Sequence, residues 1–333
     1  IVQSLVGSEM CIRDSLFTVW GGWPGIKKVF SHYDLFGYKQ KSLESSDLTY
    51  GYIQIIIYVV CILSVVFYVF KTYSQTLVDD SKILSKFSAY LIRGSFWAVF
   101  LVGLADFIIS FMVVERLWEA IFSPEVKAFM VKAPERITYI HFPIILVSFI
   151  IGYFTKSVGF IWLAVLVVLS EFVIVLSRFV FSYEQAFQGD LVRFWYAALY
   201  LFASAYALIH EGHVRVDVLY SSFSEKKKAW TNMVGSALLG VPLCLIVLFL
   251  GLNGKASIIN GPVVAFEVTQ QGSNGLYLLY LMAVYLAVFA VTMLLQFTSY
   301  FMSSSHKIIF NNIEDQTQSD NPDQVRLEKV ESN

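Results

Sequence analysis

The chemically most suggestive stretch of this chain is His210–Trp230, "HEGHVRVDVLYSSFSEKKKAW". A zinc hydrolase of the H-E-x-x-H type needs its two histidines at i and i+4, so that both reach one metal from one helix face. Here the second histidine is His213, at i+3, and position 214 is valine. The motif fails, and no third ligand stands nearby. Haem would need axial histidines at matching depth on facing helices. The histidines stand at 32, 141, 210, 213 and 306. His141 opens one apolar run, whereas His210 and His213 follow the end of another. In the topology below they stand at opposite membrane surfaces and cannot share a haem. Serine-nucleophile arrangements, phosphate-cradling glycine loops and paired catalytic carboxylates are also missing. The reading is therefore of a non-enzyme that needs no cofactor. A haem-bearing membrane anchor of a redox enzyme is the alternative.

Two acids interrupt apolar runs. Asp106 and Glu171 are costly in lipid and belong against other helices or a partner. Glu171 and Arg178 are seven residues apart, so they share one helix face two turns from each other. A proton or ion relay needs a chain of such groups, and none exists. Both acids are therefore expected to be polar packing contacts. Pro242, in "LLGVPLCL", reads as a kink rather than a broken transport helix, because no second interrupted helix matches it. Cys61 and Cys244 lie inside apolar runs and read as packing residues. With Cys11 they are too few for a disulfide framework or a cysteine-based metal site.

The elements that must position these residues are membrane spans. Hydrophobic residues make up 57% of the 333-residue chain and charged residues 15%, against about 45–50% and about 25% in soluble domains. Mean hydropathy is +0.64. A net charge of −1 gives no case for nucleic acid, which would call for a basic face. A membrane helix needs roughly 20 apolar residues. Seven stretches qualify or come close: Thr49–Phe70, Gly94–Val114, Tyr139–Thr155, Ser157–Ser177, Leu191–Ile209, Trp230–Leu252 and Gly275–Met302. They are continuous rather than alternating, so helices are predicted over barrel strands. Trp97, Trp118, Trp195 and Trp230 lie near span ends, as an aromatic belt would place them. The fold class expected is an all-α integral membrane protein of about seven transmembrane helices.

Lysine and arginine bias orients the spans. The run Lys226-Lys227-Lys228 outweighs the neighbouring loops, so that loop and the C-terminus are placed in the cytoplasm. Lys27, Lys28, Lys39 and Lys41 then fall outside, against the rule. Residues 303–333 are rich in Asn, Asp, Gln and Ser and are expected to be a disordered cytoplasmic tail. At the other end, Met10–Ser15 back-translates as ATG-TGT-ATA-AGA-GAC-AG, which resembles the transposon end of sequencing-library adapters. Residues 1–15 are therefore read as a translated artefact and set aside.

In "HVRVDV", His213, Arg215 and Asp217 alternate with valines. A strip with one polar and one apolar side suits the membrane interface, anchored by the lysines beyond it. An apolar helix ending "E-x-H-V-R-V-D-V-L", then a short basic link and another apolar helix, resembles the small membrane subunit of TRAP transporters (DctQ type). "SRFVF", Ser177–Phe181, is similar to that family's R-Y-V-F element, and "FEVTQQGSNGLYLLYLMAVYL" to its approach to the fourth helix. The resemblance covers about residues 157–302. Gly189-Asp190 stands where the family's paired acids are expected. The chain then divides into an N-terminal extension of about three helices, 16–156, and a DctQ-like four-helix domain, 157–302.

The resemblance implies a scaffold role in a tripartite, sodium-coupled secondary transporter for organic acids. The expected partners are a large permease subunit (DctM type), a periplasmic substrate-binding protein and the lipid bilayer of the bacterial inner membrane. Glu211, His213, Arg215 and Asp217 are expected at the cytoplasmic interface, and Arg178 at the outer one.

Overall fold

The computed structural model describes residues 15–34, 44–73, 76–155, 160–209, 220, 222–268 and 275–320. Within these residues every regular element is helical. Seven helices are long and apolar enough to cross a bilayer: α1 (Ser45–Lys71), α2 (Leu77–Val114), α3 (Ala133–Phe154), α4 (Phe160–Phe181), α5 (Ala186–Ile209), α6 (Glu225–Leu252) and α7 (Leu279–Asp320). Each apolar run read from the sequence is one of these helices, and the described residues form the expected all-α arrangement with seven candidate spans.

Two helices outrun their apolar runs. α2 begins at Leu77 rather than Gly94 because Thr76 closes a capping box. Its hydroxyl accepts from the Asp79 amide at 3.3 Å, and the Asp79 carboxylate accepts from the Thr76 amide at 3.4 Å. Its 38 residues span about 57 Å, well beyond a hydrocarbon core of about 30 Å. α7 continues to Asp320, past the apolar run that ends at Met302. The reason is a partner to pack on. Ser304 is buried and shares a polar recess with Ala229, Asn232 and Lys228 of α6.

α2 is the central strut. It runs antiparallel to α3, α5 and α7 and contributes Ile92, Phe96, Val99 and Val102 to a core completed by Phe194, Trp195, Phe202 and Tyr285. The core thus runs across residue 156, where the sequence suggested a division. A seam of small hydroxyl residues joins α2 to α7. The Ser81 hydroxyl donates to the Ser299 carbonyl at 3.0 Å and the Ser88 hydroxyl to the Thr292 carbonyl at 3.0 Å. Ser81, Ser88 and Ser95 recur every seven residues and are all buried. In a bilayer, such interhelical bonds contribute about 0.6 kcal/mol each on average. Close approach does the rest. A Cβ added at Gly152 of α3 would lie 2.9 Å from the Cα of Gly94 on α2, and one added at Gly240 would meet the Phe297 ring at 2.5 Å.

Pro143 of α3 and Pro242 of α6 each sit beyond a wide π-type turn inside their helix. Ile137–His141 precedes Pro143, and Ser236–Gly240 precedes Pro242. A proline lacks the amide hydrogen and its ring crowds the carbonyl four residues back. Widening the turn relieves both problems without ending the helix. Pro242 is therefore a local distortion of a continuous helix, and Pro143 matches it, contrary to the expectation that nothing would.

The aromatic belt is corrected in part. Trp230 is exposed, but Trp118 and Trp195 are buried. Trp195 lies nine residues inside α5, against Gly103 of α2, and its indole nitrogen donates to the Val99 carbonyl at 3.3 Å. α1 is different again. It is almost wholly exposed along its length, and the preceding segment is tied down by the Trp20 indole, which donates to Asn260 Oδ1 at 2.8 Å.

Candidate functional site

Ionisable groups are rare in the described spans, and the structure gathers three of them in one place. Asp106 of α2 and Arg136 and His141 of α3 are 0%, 1% and 0% exposed. Antiparallel packing of α2 on α3, locked by the Gly94–Gly152 contact, sets the register that brings them together. The wide turn at Ile137–His141 then carries His141 inward beside Arg136.

The Asp106 carboxylate is fully engaged. Oδ1 accepts from Arg136 Nη2 at 2.6 Å and from His141 Nε2 at 2.9 Å. Oδ2 accepts from the Tyr277 amide at 2.7 Å. Arg136 Nη2 also donates to the Asp106 carbonyl at 2.7 Å and to Ser110 Oγ at 3.0 Å, and its guanidinium lies 4.5 Å over the Tyr277 ring. His141 Nδ1 is 3.0 Å from the Tyr280 hydroxyl. The tautomer with hydrogen on Nε2 satisfies every partner: it donates to the carboxylate, and Nδ1 accepts from tyrosine. Removing charge from water is repaid only by this kind of short, hydrogen-bonded geometry.

The cluster is a clasp between two parts of the chain. Asp106, Arg136 and His141 lie before residue 156, whereas Tyr277 and Tyr280 open α7. A second carboxylate acts on the same turn. Asp190 of α5 is buried and its Oδ2 accepts from the Leu276 amide at 3.1 Å. Two successive amides at the head of α7 thus each meet a carboxylate, where the helix dipole favours negative charge. A third link lies nearby. The Tyr183 hydroxyl donates to Glu115 Oε1 at 2.6 Å, and burial, together with that carboxylate, pushes the Tyr183 phenol above its ordinary range.

The other sequence candidates fall elsewhere. Arg178 is exposed at the end of α4 and pairs with Glu184 at 3.3 Å, not with Glu171. Glu171 is exposed in the middle of α4. Glu211, His213, Arg215 and Asp217 lie outside the described residues. Asp190, noted as a departure from the family's acid pair, holds the head of α7. Arg136 was missed because the span was read from Tyr139, three residues too late. Its signal was its spacing from His141: an arginine and a histidine five residues apart at the mouth of a span that faces an intramembrane acid. The arrangement offers no vacant ligand position. Both His141 nitrogens are used, and among the described residues no group of three His, Cys, Asp or Glu side chains gathers to hold a metal.

Comparison with known proteins places the second part of the chain. Residues 165–304 match the family model "Tripartite ATP-independent periplasmic transporters, DctQ component". No curated protein and no solved structure matches the chain.

Proposed function

We propose that this chain, which carries a DctQ domain of the tripartite ATP-independent periplasmic transporters in its C-terminal part, is the small scaffold subunit of such a system. In this reading a large permease subunit moves an organic acid with sodium, a periplasmic protein delivers it, and this chain braces the permease in the inner membrane. The observation that carries the reading is the match over residues 165–304. The packing agrees with it. The described spans form a stiff bundle around α2, and their buried charges are spent on one another rather than aimed into a substrate chamber. The haem-anchor alternative gains nothing from His141, whose ring nitrogens are both engaged.

The Lys226–Lys228 end of α6 and the C-terminus lie in the cytoplasm in this proposal, by the lysine bias. The strip Glu211, His213, Arg215 and Asp217 then meets the permease at the inner surface, and Arg178 lies at the outer one. Reversing a charge in a docking strip opposes like charges across the contact. Arg215→Glu is therefore expected to lower recovery of the large subunit in a pull-down from membranes by about tenfold, or ~1.4 kcal/mol. Unchanged recovery, with this chain present at its normal level, removes the strip from the interface.

A further inference from the structure

Glu171 is the one carboxylate in the described spans that meets the hydrocarbon region with no partner in its own chain. It lies eleven residues from Phe160 and ten from Phe181, the ends of α4, which puts it about 15 Å from either end of the helix. It is exposed and makes no hydrogen bond or ion pair among the described residues. The flank it shares with Val168 and Val175, one turn either way, is exposed too. The buried edge of α4, at Leu163, Val167 and Ser170, faces α5 and α2 and lies about 40–100° away around the helix.

A carboxylate at mid-bilayer depth needs a donor, and intramembrane acids accordingly face helices or cavities rather than lipid. Among the described residues, a second copy of this chain offers no such donor. Its basic side chains nearest that depth, Arg136 and His141, are 1% and 0% exposed and bound to Asp106. Arg93 reaches the Gly152 carbonyl near the far end of α3, and Arg178 is at the end of α4. Two copies meeting on this flank would set Glu171 against Glu171. α1 provides the contrast: it is equally exposed but uncharged through its apolar run, as a lipid-facing helix should be.

We infer that the Glu171 flank of α4 is the seat for a transmembrane helix of the large permease subunit, one that presents a basic or amide donor at mid-bilayer depth. This rests on the scaffold reading above and assigns the face by which that scaffold holds its partner within the membrane. The pair adds register along the bilayer normal, because one buried polar contact penalises every sliding of one helix on the other.

The test is photocrosslinking in membranes that hold both subunits, with a benzophenone amino acid at Val168, at Val175 and, as a lipid-facing control, at Leu63 of α1. Crosslinks to the large subunit from 168 and 175 but not from 63 are expected. Glu171→Lys should lower recovery of the large subunit at least tenfold, and Glu171→Gln, which can still hydrogen-bond, less than threefold. Crosslinks to lipid alone or to a second copy overturn the inference, as does full recovery with Glu171→Lys. If wild-type chain retains no large subunit at all, the scaffold reading itself fails. If it retains the subunit but α4 does not crosslink to it, only the docking face fails.

Discussion

Asp106→Ala will unfold this protein more readily than any other single substitution in the described spans, at a cost of ~3–5 kcal/mol. The size follows from what is left behind. Arg136 is 1% exposed, so without the carboxylate it becomes a buried cation whose remaining acceptors are the Asp106 carbonyl and Ser110. His141 loses the acceptor that fixes its tautomer, and the Tyr277 amide at the head of α7 loses the carboxylate it donates to. Asp106→Asn will not rescue. If its oxygen faces Arg136 and His141, its amide group points at the Tyr277 amide, donor against donor. Removing both charges should. Asp106→Leu with Arg136→Met is expected to recover most of the loss, since an apolar replacement of a buried pair is often neutral. Thermal unfolding in detergent checks both. A single alanine variant that melts with wild type would show that the clasp does not hold the two parts together.

Gly152→Val is the second large effect. Its Cβ would fall 2.9 Å from both the Cα and the amide nitrogen of Gly94, and backbone cannot rotate out of the way. α3 must move off α2, which costs ~1–3 kcal/mol from overpacking alone. It also shifts the register that delivers Arg136 and His141 to Asp106, so the total should exceed that range. Gly94→Ala gives the contrast. Its Cβ meets the Phe149 ring at 2.4 Å, and a side chain can turn aside, so the loss should be smaller. Melting of the two variants side by side decides the point. Equal stability would mean that α2 and α3 do not rely on close backbone contact.

The spans were legible because hydrocarbon imposes one strong rule: backbone groups must be bonded within the helix, so long apolar runs are helices. Their pairing was not legible. Nothing in the runs themselves says that α2, outside the matched family region, lies at the centre of the core. The seven-residue recurrence of Ser81, Ser88 and Ser95 did carry that information, but it is hidden where serine looks merely tolerated in an apolar helix. Asp106 was visible as a costly charge. Its partners were not, because they depend on an antiparallel register set by two glycines. Arg136 looked like a loop residue, since hydropathy falls at the same place whether a span has ended or a paired charge has begun. Helix ends failed for a related reason. α2 and α7 run on past the bilayer because each has a helix to lean on, and composition does not record neighbours.

In the proposed role this chain braces a transporter without being one. Purified protein reconstituted into liposomes under an inward sodium gradient, with labelled organic acids supplied outside, tests this most directly. It should take up nothing alone. Uptake should appear when the large permease subunit shares the membrane and the binding protein is added. Uptake by this chain alone would contradict the account.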